Sequence, residues 1–172
     1  TAIAWAVALR RTEGPTALCL SRQGLKALDR AVYGDPRGVA RGAYVLSDCE
    51  GTADLFLVAT GSEVHLALDV QAELRKEGRR ARVVSMPSQE LFEKQDPSYR
   101  EAVLPSDSRP RVILEAASPF GWARYVGSEE DVVAVRGFGA SAPAADLFRH
   151  YGITTDALVG LAEHKLGLAR AA

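Results

Sequence analysis

Arg22 is one side chain of this sequence whose type and place could take hold of an anion. It stands in Ser21-Arg22-Gln23, directly after an apolar run, Thr16 to Leu20, that reads as a short strand. A guanidinium at the carboxyl end of a strand reaches into the cleft beyond it and binds phosphate through two parallel hydrogen bonds. The same position suits a structural ion pair, and residue chemistry alone leaves both readings open. Thr60-Gly61-Ser62-Glu63 also carries two readings. It opens a helix after the most apolar strand-like run, where outward-facing amides suit an anion. Thr60 and Glu63 have capping-box spacing as well, and the capping box is the reading adopted.

Gly137, Gly139 and Ala142 spell G-x-G-x-x-A between a strand and a helix, with Asp156 downstream. A dinucleotide site wants its ribose-binding acid at the end of the next strand. Asp156 instead opens a helix, so the motif reads as a tight turn followed by a Pro143-initiated helix. Glu115, ending a strand, is the one carboxylate expected to play a buried role, in structural pairing. His65, His150 and His164 lack metal-ligand spacing, and no Ser or Cys has the strand–turn–helix setting of a nucleophile elbow.

The elements that must position these residues follow from hydrophobic periodicity. Residues 1–11 predict a helix, apolar from Ala2 to Leu9 and ended by Gly14 and Pro15. Such a helix is normally buried all round, so we expect a cover that lies outside this chain, as in a piece cut from a longer protein. Residues 23–42 carry five glycines and prolines among weakly patterned charges and read as a connection between domains. Beyond it, strands are expected at 43–46, 54–59, 82–86, 111–116 and 131–136. Helices are expected at 62–77, 88–94, 97–103, 121–126, 143–151 and 155–167. Alternation of this kind implies parallel pairing through helical crossovers, hence a three-layer α/β sandwich with a mostly parallel sheet of about five strands. The 43–46 strand has no preceding helix and is expected as an antiparallel edge.

Composition narrows the function classes. Of 172 residues, 47% are hydrophobic, and 21 basic residues face 22 acidic ones. That balance argues against nucleic-acid or acidic-membrane partners, which need a positive excess. No apolar run approaches the ~20 residues of a membrane-spanning helix, and no secretory leader is evident. Cys19 and Cys49 read as reduced thiols of a cytoplasmic protein, with Cys19 buried in its strand.

Several segments, in order, resemble transketolases. They are Gly14-Pro15-Thr16-Ala17-Leu18-Cys19-Leu20-Ser21-Arg22-Gln23, Ala40 to Leu46, Ala59 to Val64, and Arg82 to Ser88 with Phe92 and Lys94-Gln95. Phe138-Gly139 with Ser141-Ala142-Pro143 completes the set. Gly24 replaces a commoner Asn, and His65 a more usual acid. The resemblance implies the carboxy-terminal piece of such an enzyme. Residues 1–32 would be the helix–strand remnant of the pyrimidine-binding domain, 33–42 a linker and 43–172 the C-terminal domain. It further implies a homodimeric transferase of the pentose phosphate pathway that uses thiamine diphosphate and a divalent cation, Mg²⁺ or Ca²⁺. That enzyme moves a two-carbon ketol unit from a ketose phosphate to an aldose phosphate. Arg22 resembles the arginine that binds the substrate's phosphate. No catalytic, cofactor or metal residue of the family maps onto this chain, so the piece alone is expected to be inactive without the N-terminal domains. Ser21-Arg22-Gln23 and Phe92 with Lys94-Gln95 favour this family over other thiamine-dependent enzymes.

Overall fold

The computed structural model describes residues 1–168. Helix α1 spans Ala2–Arg10, and a 3₁₀ turn at Pro36–Arg41 leads into strand β1 at Tyr44–Ser47. Then follow β2 at Leu55–Ala59, α2 at Glu63–Lys76, β3 at Ala81–Ser85, α3 at Gln89–Glu93, α4 at Pro97–Val103 and β4 at Arg111–Glu115. A 3₁₀ turn at Trp122–Tyr125, β5 at Val132–Ala134, α5 at Ala144–His150 and α6 at Thr155–Lys165 complete the described chain.

The five strands form one sheet in the order β1-β3-β2-β4-β5. All neighbours run parallel except β1, which pairs antiparallel with β3, Tyr44 opposite Ser85. Leu57 of β2 lies opposite Val83 of β3 on one side and Val112 of β4 on the other. Helices cover both faces, so the three-layer sandwich and its antiparallel edge are as the sequence predicts.

Alternation along the central strand explains the layering. Successive side chains of a strand point to opposite faces. Leu55, Leu57 and Ala59 therefore join Val83, Val112 and Leu114 beneath α2 and α6. Those helices contribute Val64, Ala67, Val70 and Leu74, and Leu158, Val159 and Ala162. Phe56 and Val58 point the other way with Val84 and Ile113, against Phe92, Val103, Trp122 and Tyr125. A strand apolar on both faces is what a central parallel strand requires, and all of β2 is buried.

The beginning of the chain departs from expectation. Residues 16–21 form no strand: residues 12–28 make no backbone hydrogen bond among the described residues. An extended segment becomes a strand only where a neighbour supplies the ladder, and none of this chain's strands runs beside it. Cys19 is accordingly exposed, not buried, and Cys49 is half-buried. Helix α1 forms, but none of its residues is buried; Trp5 is 53% and Leu9 78% exposed.

The next stretch is anchored. The Gly34 amide donates to the Leu46 carbonyl at 2.7 Å. Asp35 caps the 3₁₀ turn through the Arg37 amide. Leu28 and Tyr33 rest against the core. Gly42 then turns the chain into β1 with φ +86°, and a Cβ there would lie 2.2 Å from the Phe92 amide nitrogen and 2.4 Å from the Ser88 carbonyl oxygen. Both atoms are backbone, and Ser88 also donates its amide to the Gly42 carbonyl. Gly42→Ala should therefore destabilise the fold by more than the ~1–3 kcal/mol of an unfavourable backbone conformation alone. Urea unfolding checks this, and a loss well under ~1 kcal/mol would contradict the close approach.

Candidate functional site

The chain leaves β2 to build β3 on one side, then crosses back to build β4 on the other. The carboxyl ends of β2 and β4 thus flank the topological switch point, where open α/β sheets hold their ligands. Three pieces of sequence meet there: the Thr60–Glu63 turn, Glu115 with the residues after it, and the Ser21-Arg22-Gln23 segment.

Glu63 occupies the first position of α2 and is only 3% exposed. It does not close a capping box with Thr60. One carboxylate oxygen accepts the Ser62 hydroxyl at 2.5 Å, and the other accepts the Ala116 amide at 3.3 Å. The side chain therefore ties the start of α2 to the end of β4. Its burial was legible after all, since Glu63, Ala67, Val70 and Leu74 fall on one helical stripe. Glu115, half-buried, accepts the Trp122 indole N–H at 3.1 Å and the Ala117 amide at 3.1 Å. That is the structural pairing expected for it.

Burial pushes the Glu63 carboxyl up, against the Ser62 and Ala116 hydrogen bonds that pull it down. Burial raises Glu115 too; the Trp122 bond opposes this and the neighbouring Glu63 charge adds to it. Both carboxylates are held by their own neighbours. Among the described residues no group of three or more His, Cys, Asp or Glu side chains gathers as a metal site would require.

The Ser21 segment crosses this same edge: the Ser21 hydroxyl oxygen lies 4.0 Å from where a Cβ of Gly61 would stand. Gly61 has φ +57°, so the turn that receives the segment is one a side chain would strain. Arg22 is exposed and makes no ion pair or hydrogen bond among the described residues. Its guanidinium is therefore not spent on the structural pair that residue chemistry left open. The G-x-G-x-x-A stretch is an exposed loop leading through Pro143 into α5, and Asp156 sits in the first turn of α6. The structure thus offers no strand-end acid for a dinucleotide there.

The coupled carboxyls make a pH prediction. A carboxyl whose folded pKa lies above its unfolded value, about 4.3 for Glu, is protonated more readily in the fold. Its contribution to stability is full below that value and is lost as pH rises through the folded pKa. Glu63→Gln removes the charge that helps raise Glu115, so the Glu115 titration should move to lower pH. Carboxyl ¹³C NMR measures it directly, and an unmoved Glu115 would contradict the coupling.

With this geometry in view, the comparisons with known proteins are specific. The family described as "Transketolase-like TK C-terminal domain" matches residues 42–154. Transketolase 2 of Aliivibrio fischeri is 46% identical over 166 residues, covering 96% of this chain and 25% of the relative. Among solved structures, the transketolase of Leishmania mexicana superposes with a TM-score of 0.86 at 43% identity, over 96% of this chain and 23% of that one. A transketolase of Pichia stipitis in complex with sedoheptulose-7-phosphate gives 0.85 at 34% identity, with the same shares. The chain spans about a quarter of the length of these relatives. It belongs to the transketolase family, of which it represents the C-terminal part.

Proposed function

We propose that this chain is the C-terminal part of a homodimeric, cytoplasmic transketolase that passes a two-carbon ketol unit from a ketose phosphate to an aldose phosphate. In this reading residues 1–32 end the pyrimidine-binding domain, 33–42 link, and 43–172 form the C-terminal domain. The sugar-phosphate substrate class is supported by the Pichia stipitis relative, which holds sedoheptulose-7-phosphate. The observation that carries the assignment of a site is Arg22: an unengaged guanidinium in a Ser-Arg-Gln motif, presented where the first segment meets the carboxyl edge of the sheet.

In this reading the edge carboxylates are not ligands for thiamine diphosphate's Mg²⁺ or Ca²⁺. Glu63 and Glu115 spend their oxygens on Ser62, Ala116, Ala117 and Trp122, and no cluster of three ligands gathers among the described residues. The cofactor belongs in this reading to the N-terminal domains, and no step of the reaction is assigned to this chain. What the chain contributes is binding. Two parallel N–H···O bonds from Arg22 hold the substrate's phosphate, which fixes the far end of the sugar and so orients its reacting end. The rest of the domain supports the segment that presents Arg22.

A hydrogen bond to a charged group contributes ~1.5–3 kcal/mol, so Arg22→Ala in the full-length enzyme should lower kcat/KM for phosphorylated sugars roughly tenfold to a hundredfold. Arg22→Lys should recover part of this, because an ammonium cannot make the planar two-point contact. Hydroxypyruvate with glycolaldehyde, which carry no phosphate, should react almost as before. Equal losses on both substrate classes, or full activity of the alanine variant on the phosphorylated one, would overturn the role.

A further inference from the structure

A guanidinium that grips a phosphate at two points must be held in place, because hydrogen bonds weaken steeply as their geometry departs from the ideal. No backbone ladder of this chain holds Arg22. Residues 12–28 make no backbone hydrogen bond among the described residues, and Ser21, Arg22 and Gln23 are all exposed. What the segment meets is the turn between β2 and α2.

Gly61 is the residue of that turn that faces it. Two side chains approach the one point where a Gly61 Cβ would stand: the Ser21 hydroxyl oxygen at 4.0 Å and the Glu63 carboxylate oxygen Oε2 at 3.9 Å. At those distances a methyl group has room, so space alone does not call for glycine. The backbone does, because φ is +57°, a conformation that glycine adopts freely and a side chain strains. Alanine there strains the turn or shifts it, and its methyl takes the space that faces Ser21.

The turn is pinned to both neighbours of β2. At its start the Met86 amide, just beyond β3, donates to the Ala59 carbonyl at 2.9 Å. At its end the buried Glu63 carboxylate accepts the Ser62 hydroxyl through one oxygen and the Ala116 amide, just beyond β4, through the other. Residues 60–62 are therefore a fixed surface on the sheet edge, and Ser21, next to Arg22 in sequence, lies against it.

We propose that Gly61 and Glu63 are positioning residues for Arg22: the turn they shape sets where Ser21 rests and so where the adjacent guanidinium meets the substrate's phosphate. This rests on the reading of Arg22 as the phosphate contact. Neither residue touches the substrate; both act through Arg22.

Steady-state kinetics of the full-length enzyme, in a double-mutant cycle with Arg22→Ala, tests the proposal. Gly61→Ala should raise KM for sedoheptulose-7-phosphate roughly threefold to tenfold, with kcat near that of the parent. The reaction of hydroxypyruvate with glycolaldehyde should be unchanged. In the Arg22→Ala background Gly61→Ala should have no further effect, because the group it positions is gone. Glu63→Gln keeps the shape of the side chain but offers one accepting oxygen to two donors. It should act in the same direction as Gly61→Ala, and it decides the matter if the alanine variant does not fold. An unchanged KM in the folded variants would overturn the proposal. So would an effect of full size that persists without Arg22, or equal losses on both substrate classes in a folded Gly61→Ala enzyme. If Arg22→Ala itself impairs both classes alike, the functional reading fails and the positioning role falls with it. If its effect is confined to the phosphorylated sugar while the Gly61 and Glu63 variants are silent, only the positioning role is lost.

Discussion

Burial of β2 on both faces is the constraint from which the rest of this structure follows. Leu55, Leu57 and Ala59 demand one helical layer and Phe56 and Val58 demand another. No smaller arrangement removes both sets from water. The parallel neighbours β3 and β4 complete its hydrogen bonds, and parallel pairing forces the crossovers that α2 and the α3–α4 pair provide. Because one crossover goes to each side of β2, the switch point is fixed at its carboxyl end, and the turn containing Gly61 is fixed with it.

That geometry decides what the edge can do. The amides at the start of α2 would suit an anion, but the buried carboxyl of Glu63 stands among them and bonds Ser62 and Ala116. That side chain occupies the place an anion would take, and the switch point becomes a structural tie between α2 and β4. Positive charge is offered instead by Arg22, on a segment that crosses the edge without joining the sheet. Arg22 thus reaches the edge on a segment outside the sheet, while Glu63 and Glu115 hold the edge together through Ser62, Ala116, Ala117 and Trp122. Phe120 and Phe138, both exposed, leave the same edge apolar on its β5 side.

Much of this was legible in the sequence. The unbroken apolar run Leu55–Ala59 and the helical spacing of Ala67, Val70 and Leu74 mark a strand and a helix face that seek cover, and both elements form as expected because their covers lie within the chain. Thr16–Leu20 has the same apolar character, yet forms no strand here, and Cys19 lies exposed. Residue patterns state that a face seeks cover; they do not state whether the cover belongs to the same chain. Glu63 was misread for a different reason. Thr60 three residues before it suggested a local cap, whereas its place on the buried stripe pointed to a tertiary partner, the Ala116 amide. Local and tertiary partners compete for one carboxylate: the three-residue spacing to Thr60 offered the local one, and the stripe shared with Ala67, Val70 and Leu74 the tertiary one.

In the proposed division of labour, this part supplies the phosphate contact and the scaffold behind it, and the cofactor is held elsewhere in the enzyme. Calorimetric titration of the isolated chain with thiamine diphosphate and Mg²⁺, beside the same titration of the full-length enzyme, tests it most directly. The expected result is binding by the full-length enzyme and none by the isolated chain. Micromolar binding by the isolated chain would contradict this placement of the active site.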